Sequence, residues 1–161
     1  AKPVKWLRCI GVDTEQVTVK DHNALLKLAR ETGRVILTRD RQLAGRRDAE
    51  LCYFVRSDDA REGFQEVVQH FGLSFTPGAF LARCSLCNAS DYKRLSKEEV
   101  EGLHVEGTLS AAVVKRHHKF YMCMGCRKVF WKGKQYQSAK DKVASLVDFE
   151  GSIVRPDDIS S

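Results

Sequence analysis

Apolar residues recur at helical spacing in the N-terminal half of the chain. The clearest segment is 59–71, in which apolar side chains fall at positions i, i+3, i+4 and i+7 and so form one face of a helix. Segment 21–32 shows a similar face, and segment 2–10 is also helix-like. A glycine, which readily ends a helix, directly follows each of the three segments. The pattern therefore predicts three helices.

Short apolar runs lie between these helices. Segments 34–38 and 51–55 are typical of buried parallel strands. Segment 12–19 is compatible with a short strand, and segment 40–44 with a short helix. Strands that alternate with helices over short connections predict an α/β fold with a three-layer parallel sheet.

The pattern changes near residues 75–78, and we place a domain boundary there. The predicted units are an α/β domain at 1–76, a cysteine-containing module at 77–150 and a loose tail at 151–161. The elements predicted in the second unit are a partly helical insert near 96–103, strands at 109–114, 119–122 and 128–131, and a helix at 137–149.

Composition points to a folded protein inside the cell. Apolar residues make up 43% of the chain and charged residues 30%, so the chain can bury a core and stay in solution. No apolar run approaches the length of a membrane span, and residues 1–5 lack the apolar stretch of a signal peptide. We therefore expect a cytoplasmic or nuclear protein with reduced cysteines and no membrane partner.

Four cysteines form two C-x-x-C pairs, and this spacing favours a metal site. Cys84 and Cys87 make the first pair, and Cys123 and Cys126 make the second. Structural zinc sites take four tetrahedral ligands, thiolates prominent among them. In an intracellular chain such pairs indicate metal rather than disulfides, although buried free cysteines are the alternative. Four thiolates leave no open position, so we expect structural zinc that closes an insert at residues 88–122.

Three carboxylates, Asp21, Asp40 and Asp58, follow predicted strands. In a parallel sheet those strand ends converge on the ligand crevice, where clustered carboxylates could hold Mg²⁺ or Mn²⁺ for phosphodiester hydrolysis. The same positions lie close to predicted helix starts, where aspartate is a favoured N-cap. Both interpretations stay open at this point.

Basic residues concentrate between positions 115 and 142, where nine lysines and arginines accompany one acid, Asp141. Several are interleaved with aromatic residues; cations contact phosphates, and exposed rings stack on unpaired bases. A solvated basic face is the alternative. The candidate RNA-binding residues are Lys115, Arg116, His117, His118, Lys119, Arg127, Lys128, Trp131, Lys132 and Lys134.

Several motifs occur in a fixed order along the chain. They are Trp6-Leu7-Arg8-x-x-Gly11-x-Asp13, Gly33-Arg34-Val35-Ile36-Leu37-Thr38-Arg39-Asp40-Arg41, Val55-Arg56-Ser57-Asp58, Arg83-Cys84-x-x-Cys87-Asn88 and Cys123-x-x-Cys126-x-x-Val129-Phe130-Trp131-x-Gly133. This combination resembles the Mut-seven C-terminal RNase domain family over most of residues 4–136. Residues 7–13 look more like the eukaryotic branch.

The resemblance implies a PIN-like nuclease fold joined to a zinc ribbon. Members occur alone in prokaryotes and at the C-terminus of 3′–5′ exoribonucleases of the Mut-seven/Nibbler type, which act in small-RNA pathways. It also implies that Asp40 is a metal-binding acid, with Asp21 and Asp58 as plausible companions. The family begins with a strand that ends in an acid, a few residues before the position of Ala1. Either this chain is a trimmed piece of a larger protein, another segment fills that place, or this version is not a working nuclease.

Three functional hypotheses follow. The first is an RNA-binding accessory module of an exoribonuclease, which holds single-stranded RNA and has weak or no catalysis of its own. The second is a metal-dependent endoribonuclease that uses Asp40, Asp21 and Asp58. The third is a docking domain that tethers the exonuclease to a protein partner of an RNA-silencing complex, through a groove left by the missing strand or an exposed sheet edge.

Overall fold

The computed structural model describes residues 2–76, 78 and 80–147, and in these residues helices are mixed with two small sheets. The elements in chain order are α1 (Lys2–Cys9), α2 (His22–Thr32), β1 (Ile36–Thr38), α3 (Arg41–Ala44), β2 (Cys52–Phe54), α4 (Ala60–His70), β3 (Tyr92–Arg94), α5 (Lys97–Val105), α6 (Ala111–Arg116), β4 (Phe120–Cys123), β5 (Val129–Trp131) and α7 (Lys134–Val147).

Side-chain caps determine where α2 and α4 begin. The Asp21 carboxylate accepts a hydrogen bond from the Asn23 N–H, and the Asp59 carboxylate accepts from two N–H groups in the first turn of α4. Helix α2 ends at Gly33, whose φ of 66° lies in the left-handed region that glycine adopts at little cost. The three helices predicted for the N-terminal half are confirmed.

Strands β1 and β2 form a parallel sheet with helices on both faces. Ile36 pairs with Cys52, and both pack against the cluster formed with α2 and α3. Tyr53 points to the other face and packs against the cluster of α1, α4 and α7. The two strands predicted here are confirmed. Because this sheet has two strands in the described part of the chain, the PIN-like three-layer parallel sheet stays a prediction.

Strands β3, β4 and β5 form an antiparallel sheet whose two faces differ. One face carries Phe120, Met122 and Val129, which pack with α5 and α6 in a second apolar cluster. The other face carries Tyr92 and Cys123, which are directly paired in the register of β3 and β4. The sheet therefore separates an apolar core from the cysteine side of the module.

Helix α7 packs back on the N-terminal half. Its Val143, Leu146 and Val147 belong to the same buried cluster as Leu7 of α1 and Phe64 of α4. The largest apolar cluster thus joins elements from both ends of the described chain. The boundary placed at residue 76 stays a prediction.

Two strand predictions are wrong. Segment 109–114 mostly forms the start of helix α6, because the Ser110 hydroxyl caps its first turn by accepting from the Val113 N–H. Segment 12–19 forms no strand, and the backbone of its Thr14 is held by side chains from elsewhere in the chain. The tail predicted at 151–161 lies outside the described residues.

Candidate metal centre and nucleic-acid interface

The sulfur atoms of the four cysteines lie close together, and the two C-x-x-C turns have the same backbone geometry. The N–H of Asn88 donates to the carbonyl of Cys84, and the N–H of Arg127 donates to the carbonyl of Cys123. Both donor residues directly follow the second cysteine of their pair and have positive φ values, 73° and 59°. This conformation folds each turn tightly enough to present two sulfurs on one side.

The sulfur spacing fits a tetrahedral metal ion. The Sγ atoms of Cys84 and Cys126 are 3.7 Å apart, and those of Cys87 and Cys123 are 3.5 Å apart. Zinc–sulfur bonds of about 2.3 Å would place tetrahedral ligands roughly 3.8 Å from one another. All four sulfurs lie within 4.8 Å of one another, and no disulfide joins them. The cluster could therefore hold a metal ion such as zinc.

Backbone N–H groups surround the sulfurs and favour their thiolate forms. The N–H of Ala89 donates to Cys87 and lowers the pKa of that thiol to about 7. Burial has the opposite effect on Cys84, whose side chain is fully enclosed, and raises its pKa to about 12. A bound cation would supply the charge that keeps the buried sulfur deprotonated.

A buried arginine attaches the first cysteine turn to the N-terminal half. Arg8 of α1 is 8% exposed. Its guanidinium donates to the carbonyls of Leu86 at 2.7 Å, Ser85 at 3.4 Å and Thr14 at 2.8 Å. A charged donor that serves three carbonyls away from water holds the turn at one position relative to α1.

Asn88 and Asp13 extend this attachment to β1. The Asn88 side chain accepts from the Thr14 N–H at 3.0 Å and donates to Asp13 at 2.7 Å. Asp13 also forms a two-pronged ion pair with Arg34, which lies just before β1, and a longer contact with Arg83. The hydrogen bonds from Arg34 and then Asn88 lower the pKa of Asp13 to about 2. These contacts explain why the motif residues around positions 8–13, 34 and 83–88 occur together.

The three candidate catalytic carboxylates cap helices or pair with a neighbouring basic side chain. Asp21 caps α2, and Asp58 forms an ion pair with Arg39. Asp40 caps α3 and contacts His22 Nε2 at 2.9 Å, and the backbone N–H of Leu43 contributes most to lowering the pKa of Asp40. In the part of the chain that is described, the four cysteines are the one group of three or more potential ligands close enough to share an ion. A metal site at Asp21, Asp40 and Asp58 stays a prediction.

The candidate RNA-binding cations are exposed, and the β4–β5 hairpin divides them into two groups. Phe120 pairs with Trp131, so the flanking Lys119 and Lys132 lie at the same end of the hairpin. The His117 ring lies 6.3 Å from the Trp131 ring, which brings the end of α6 to the same place. We call this group the basic hairpin end; it consists of Lys115, Arg116, Lys119, Lys132 and Lys134.

The remaining two cations, Arg127 and Lys128, lie at the other end of the hairpin, beside the second cysteine turn. None of the lysines and arginines of either group forms an ion pair with an acid among residues 2–76, 78 and 80–147. In the N-terminal half some of the cations are paired, among them Arg30, Arg34 and Arg46. The positive charge of the hairpin is thus uncompensated within the described structure.

A groove of about 1140 Å³ runs along the outer edge of β1. Helix α2 lines one side of the groove, α1 and α4 line another, and segment 12–17 contributes as well. Its lining includes the exposed apolar side chains of Val17, Val35, Leu37 and Phe71. Within the described residues β1 pairs with β2 alone, so the backbone groups on this edge have no strand partner.

Three features of the site were not assigned roles from the sequence. Arg8 and Asn88 belong to recognisable motifs, but their contacts span more than 70 residues and depend on the fold. Tyr92 carries no sequence signal beyond lying between the cysteine pairs, yet its hydroxyl is buried beside them.

None of the helices in the described part of the chain is long and apolar enough to cross a membrane.

The chain is similar in sequence to a known protein family and to a human protein. The sequence model of the Mut7-C RNAse domain family matches residues 2–143. Over 115 residues the chain is 31% identical to the Homo sapiens protein named exonuclease mut-7 homolog, a match that covers 65% of this chain. The matched part makes up 13% of that relative. No solved structure matches the chain.

Proposed function

The chain belongs to the Mut7-C RNAse domain family, and from that membership we propose that it is an RNA-binding accessory module of a 3′–5′ exoribonuclease in small-RNA pathways. In this proposal the module holds single-stranded RNA and has weak or no catalysis of its own. Family membership supports a nuclease-related function, and the similarity to an exonuclease suggests where the module acts.

The observation that carries the proposal is the basic hairpin end. Exposed cations without acidic neighbours keep their full attraction for phosphates, whereas paired cations are already neutralised. The aromatic residue Trp131 lies among these cations and is half-buried, with Phe120 beneath it. Rings beside cations are typical of surfaces that bind unpaired nucleotides.

The cysteine cluster has a structural role in this proposal, with zinc as the ion. Four thiolates satisfy the coordination of zinc completely, so no position is left for a substrate or an activated water. The ion would fix the two turns that begin and end the insert at residues 88–122 and thereby place the hairpin. Its removal is expected to loosen the hairpin rather than to abolish a chemical step.

Charge reversal tests the RNA-binding proposal. One variant carries Lys115→Glu, Arg116→Glu, Lys132→Glu and Lys134→Glu. The matched control carries Lys5→Glu, Lys20→Glu, Arg47→Glu and Arg61→Glu, which are exposed residues elsewhere that also lack ion pairs in the described structure. Both variants change the net charge of +6 by the same amount, so nonspecific attraction is matched.

We expect the hairpin variant to lose at least tenfold in affinity for a fluorescent single-stranded RNA of about 15 nucleotides, measured by anisotropy. The control should lose much less. Equal losses in the two variants would show that binding depends on net charge alone, and an unchanged affinity of the hairpin variant would rule out this surface. Zinc content of both proteins shows whether the fold of the module is retained.

The groove beside β1 favours a second function, docking of a protein partner. The N–H of Ile36 and the carbonyl of Thr38 bond to the residues that flank β2, Leu51 and Val55, so the backbone groups of Leu37 point to the groove. The groove has apolar walls on both sides of β1, so a strand that lies in it needs apolar side chains on both of its own faces. We therefore propose an extended, valine- and isoleucine-rich segment of a partner protein, added to β1 as a strand. Such a strand would also extend the sheet toward a PIN-like, three-layer arrangement.

Selection from a phage-displayed library of random decapeptides tests the docking function. Enriched peptides should contain runs of β-branched apolar residues, and Leu37→Lys should abolish their binding. The control is Val105→Lys, which places a lysine at an apolar residue that is 82% exposed at the end of α5, outside the groove. Binding that survives Leu37→Lys, or selection without enrichment, would contradict docking at β1.

A further inference from the structure

Tyr92 lies on the face of the sheet that carries the metal ligands. It is paired directly with Cys123 in the register of β3 and β4. Directly opposed residues of antiparallel strands project to the same face, so both side chains lie on the cysteine side. The Tyr92 ring also packs edge-on against Phe130, with ring centroids 6.0 Å apart.

The hydroxyl group of Tyr92 is buried and has no hydrogen-bond partner among the described residues. It is the one buried side-chain nitrogen or oxygen in that part of the chain that is left without a partner. Buried tyrosine hydroxyls usually have a partner, because leaving the group dry and unpaired is unfavourable. The sulfur cluster is the polar group next to it: Cys123 is the direct cross-strand partner of Tyr92, and among the cysteines Cys84 interacts most strongly with the Tyr92 side chain.

A metal-bound thiolate is a stronger acceptor than a thiol, because it keeps lone pairs and negative charge after it binds the ion. Four thiolates around a divalent ion carry a net charge of about −2, which nearby donors stabilise. Cys84 already receives the backbone N–H groups of Leu86 and Cys87, and it is fully buried. A hydroxyl donor on the sheet would add a hydrogen bond to the Cys84 sulfur from the side that the turn does not reach.

We propose that the Tyr92 hydroxyl donates a hydrogen bond to the Cys84 thiolate when the metal is bound, and that Tyr92 is thereby a positioning residue of the metal centre. The proposal depends on the metal site proposed above but not on RNA binding. It explains why the single unpaired buried hydroxyl in the described structure lies beside the cysteines.

Tyr92→Phe removes the hydroxyl and keeps the ring that packs on Phe130. The matched control is Tyr121→Phe, which removes a hydroxyl from a half-buried tyrosine on the same face of the sheet, two residues before Cys123. Zinc affinity is measured by competition with a chromophoric chelator. Cobalt substitution provides a second readout through the thiolate-to-cobalt charge-transfer bands.

We expect Tyr92→Phe to weaken zinc binding by about tenfold and to shift the charge-transfer bands, as loss of an outer donor to a metal ligand does. Tyr121→Phe should leave both within about twofold of the unmodified protein. Equal affinities and spectra for the two variants would overturn the role of Tyr92. If the unmodified protein binds no zinc, the metal site itself is wrong, and this outcome is distinct from the first.

A measurement on the unmodified protein covers the case in which Tyr92→Phe does not fold. In protein loaded with ¹¹³Cd, a hydrogen bond to a ligand sulfur transmits a scalar coupling from the donated proton to the metal. A proton–cadmium correlation from a tyrosine hydroxyl is the expected result. Correlations from backbone N–H groups without one from a tyrosine hydroxyl would contradict the proposal.

Discussion

Gly125 in the second cysteine turn lies close to the first turn, and replacing it with alanine should weaken metal binding. A Cβ atom at this position would lie 2.8 Å from the Cβ of Ala89 and 3.0 Å from the Sγ of Cys87. Nonbonded carbon atoms are at their optimum at about 3.5–4.0 Å, so the methyl group would overlap both neighbours. Ala89 cannot move freely, because its N–H donates to Cys87.

Overpacking of this kind costs about 1–3 kcal/mol. If the metal-bound form bears that cost, the zinc affinity of Gly125→Ala falls by roughly five- to 150-fold. The control is Gly102→Ala in α5, where an added Cβ meets nothing within 4 Å. It should leave zinc affinity unchanged and stabilise the helix by about 0.5–1 kcal/mol. Competition with a chelator measures the affinities, and zinc binding by Gly125→Ala that equals that of the unmodified protein would refute the close packing of the turns.

Three further predictions concern the attachment of the cysteine turn and the carboxylates. Arg8→Ala should destabilise the protein by about 2–3 kcal/mol in urea unfolding, because three carbonyls lose a buried charged donor; a loss below about 0.5 kcal/mol would contradict the contacts described. The pKa of Asp13 is about 2 in the folded protein and near 3.8 in the unfolded chain. Ionised Asp13 therefore stabilises the folded protein fully above about pH 4, and this contribution is lost as the pH falls toward 2. Since the Asp13 carboxylate is partly exposed, its contribution to the free energy of unfolding is about 1 kcal/mol or less. Asp13→Asn should reduce the pH dependence of that free energy between about pH 4 and pH 2. An unchanged pH dependence would show that the Arg34 pair is absent in solution. RNA incubated with Mn²⁺ and the protein should show little or no cleavage, and cleavage that Asp40→Asn abolishes would instead establish a metal-dependent endoribonuclease.

Local signals made the helices predictable. Asp21, Asp59 and Gly33 act as caps through hydrogen bonds within a few residues or through their own backbone conformation. The cysteine pairs were predictable for a related reason, because each turn places two sulfurs by local geometry. Features of this kind depend little on the rest of the fold.

The errors arose where tertiary contacts decide the structure. Segment 109–114 is rich in valine and leucine, but Val113 and Val114 pack as part of a helix against the second cluster. The Ser110 cap is a local signal for this helix that the strand prediction overlooked. Segment 12–19 has the composition of a strand but lies along the groove without a strand partner in the described structure. Strand propensity depends on the neighbour across the sheet, and the sequence does not specify that neighbour.

The candidate site likewise combines features that the sequence indicates with features that only the fold determines. The sequence indicated which cations could contact RNA, but it did not show that the hairpin separates Arg127 and Lys128 from the basic hairpin end. The absence of acidic partners for these cations among the described residues is likewise a property of the fold. The proposed role of Tyr92 was not predictable, because it depends on the register that places Tyr92 opposite Cys123.

The salt dependence of RNA binding tests the central claim most directly. Each phosphate contact with a single strand contributes about −0.7 to the slope of log K against log salt concentration. If four or more cations of the basic hairpin end contact phosphates, the slope for single-stranded RNA should be about −3 or steeper between 50 and 200 mM salt. A slope near zero, or no measurable binding at the lowest salt concentration, would contradict an RNA-binding role for this module.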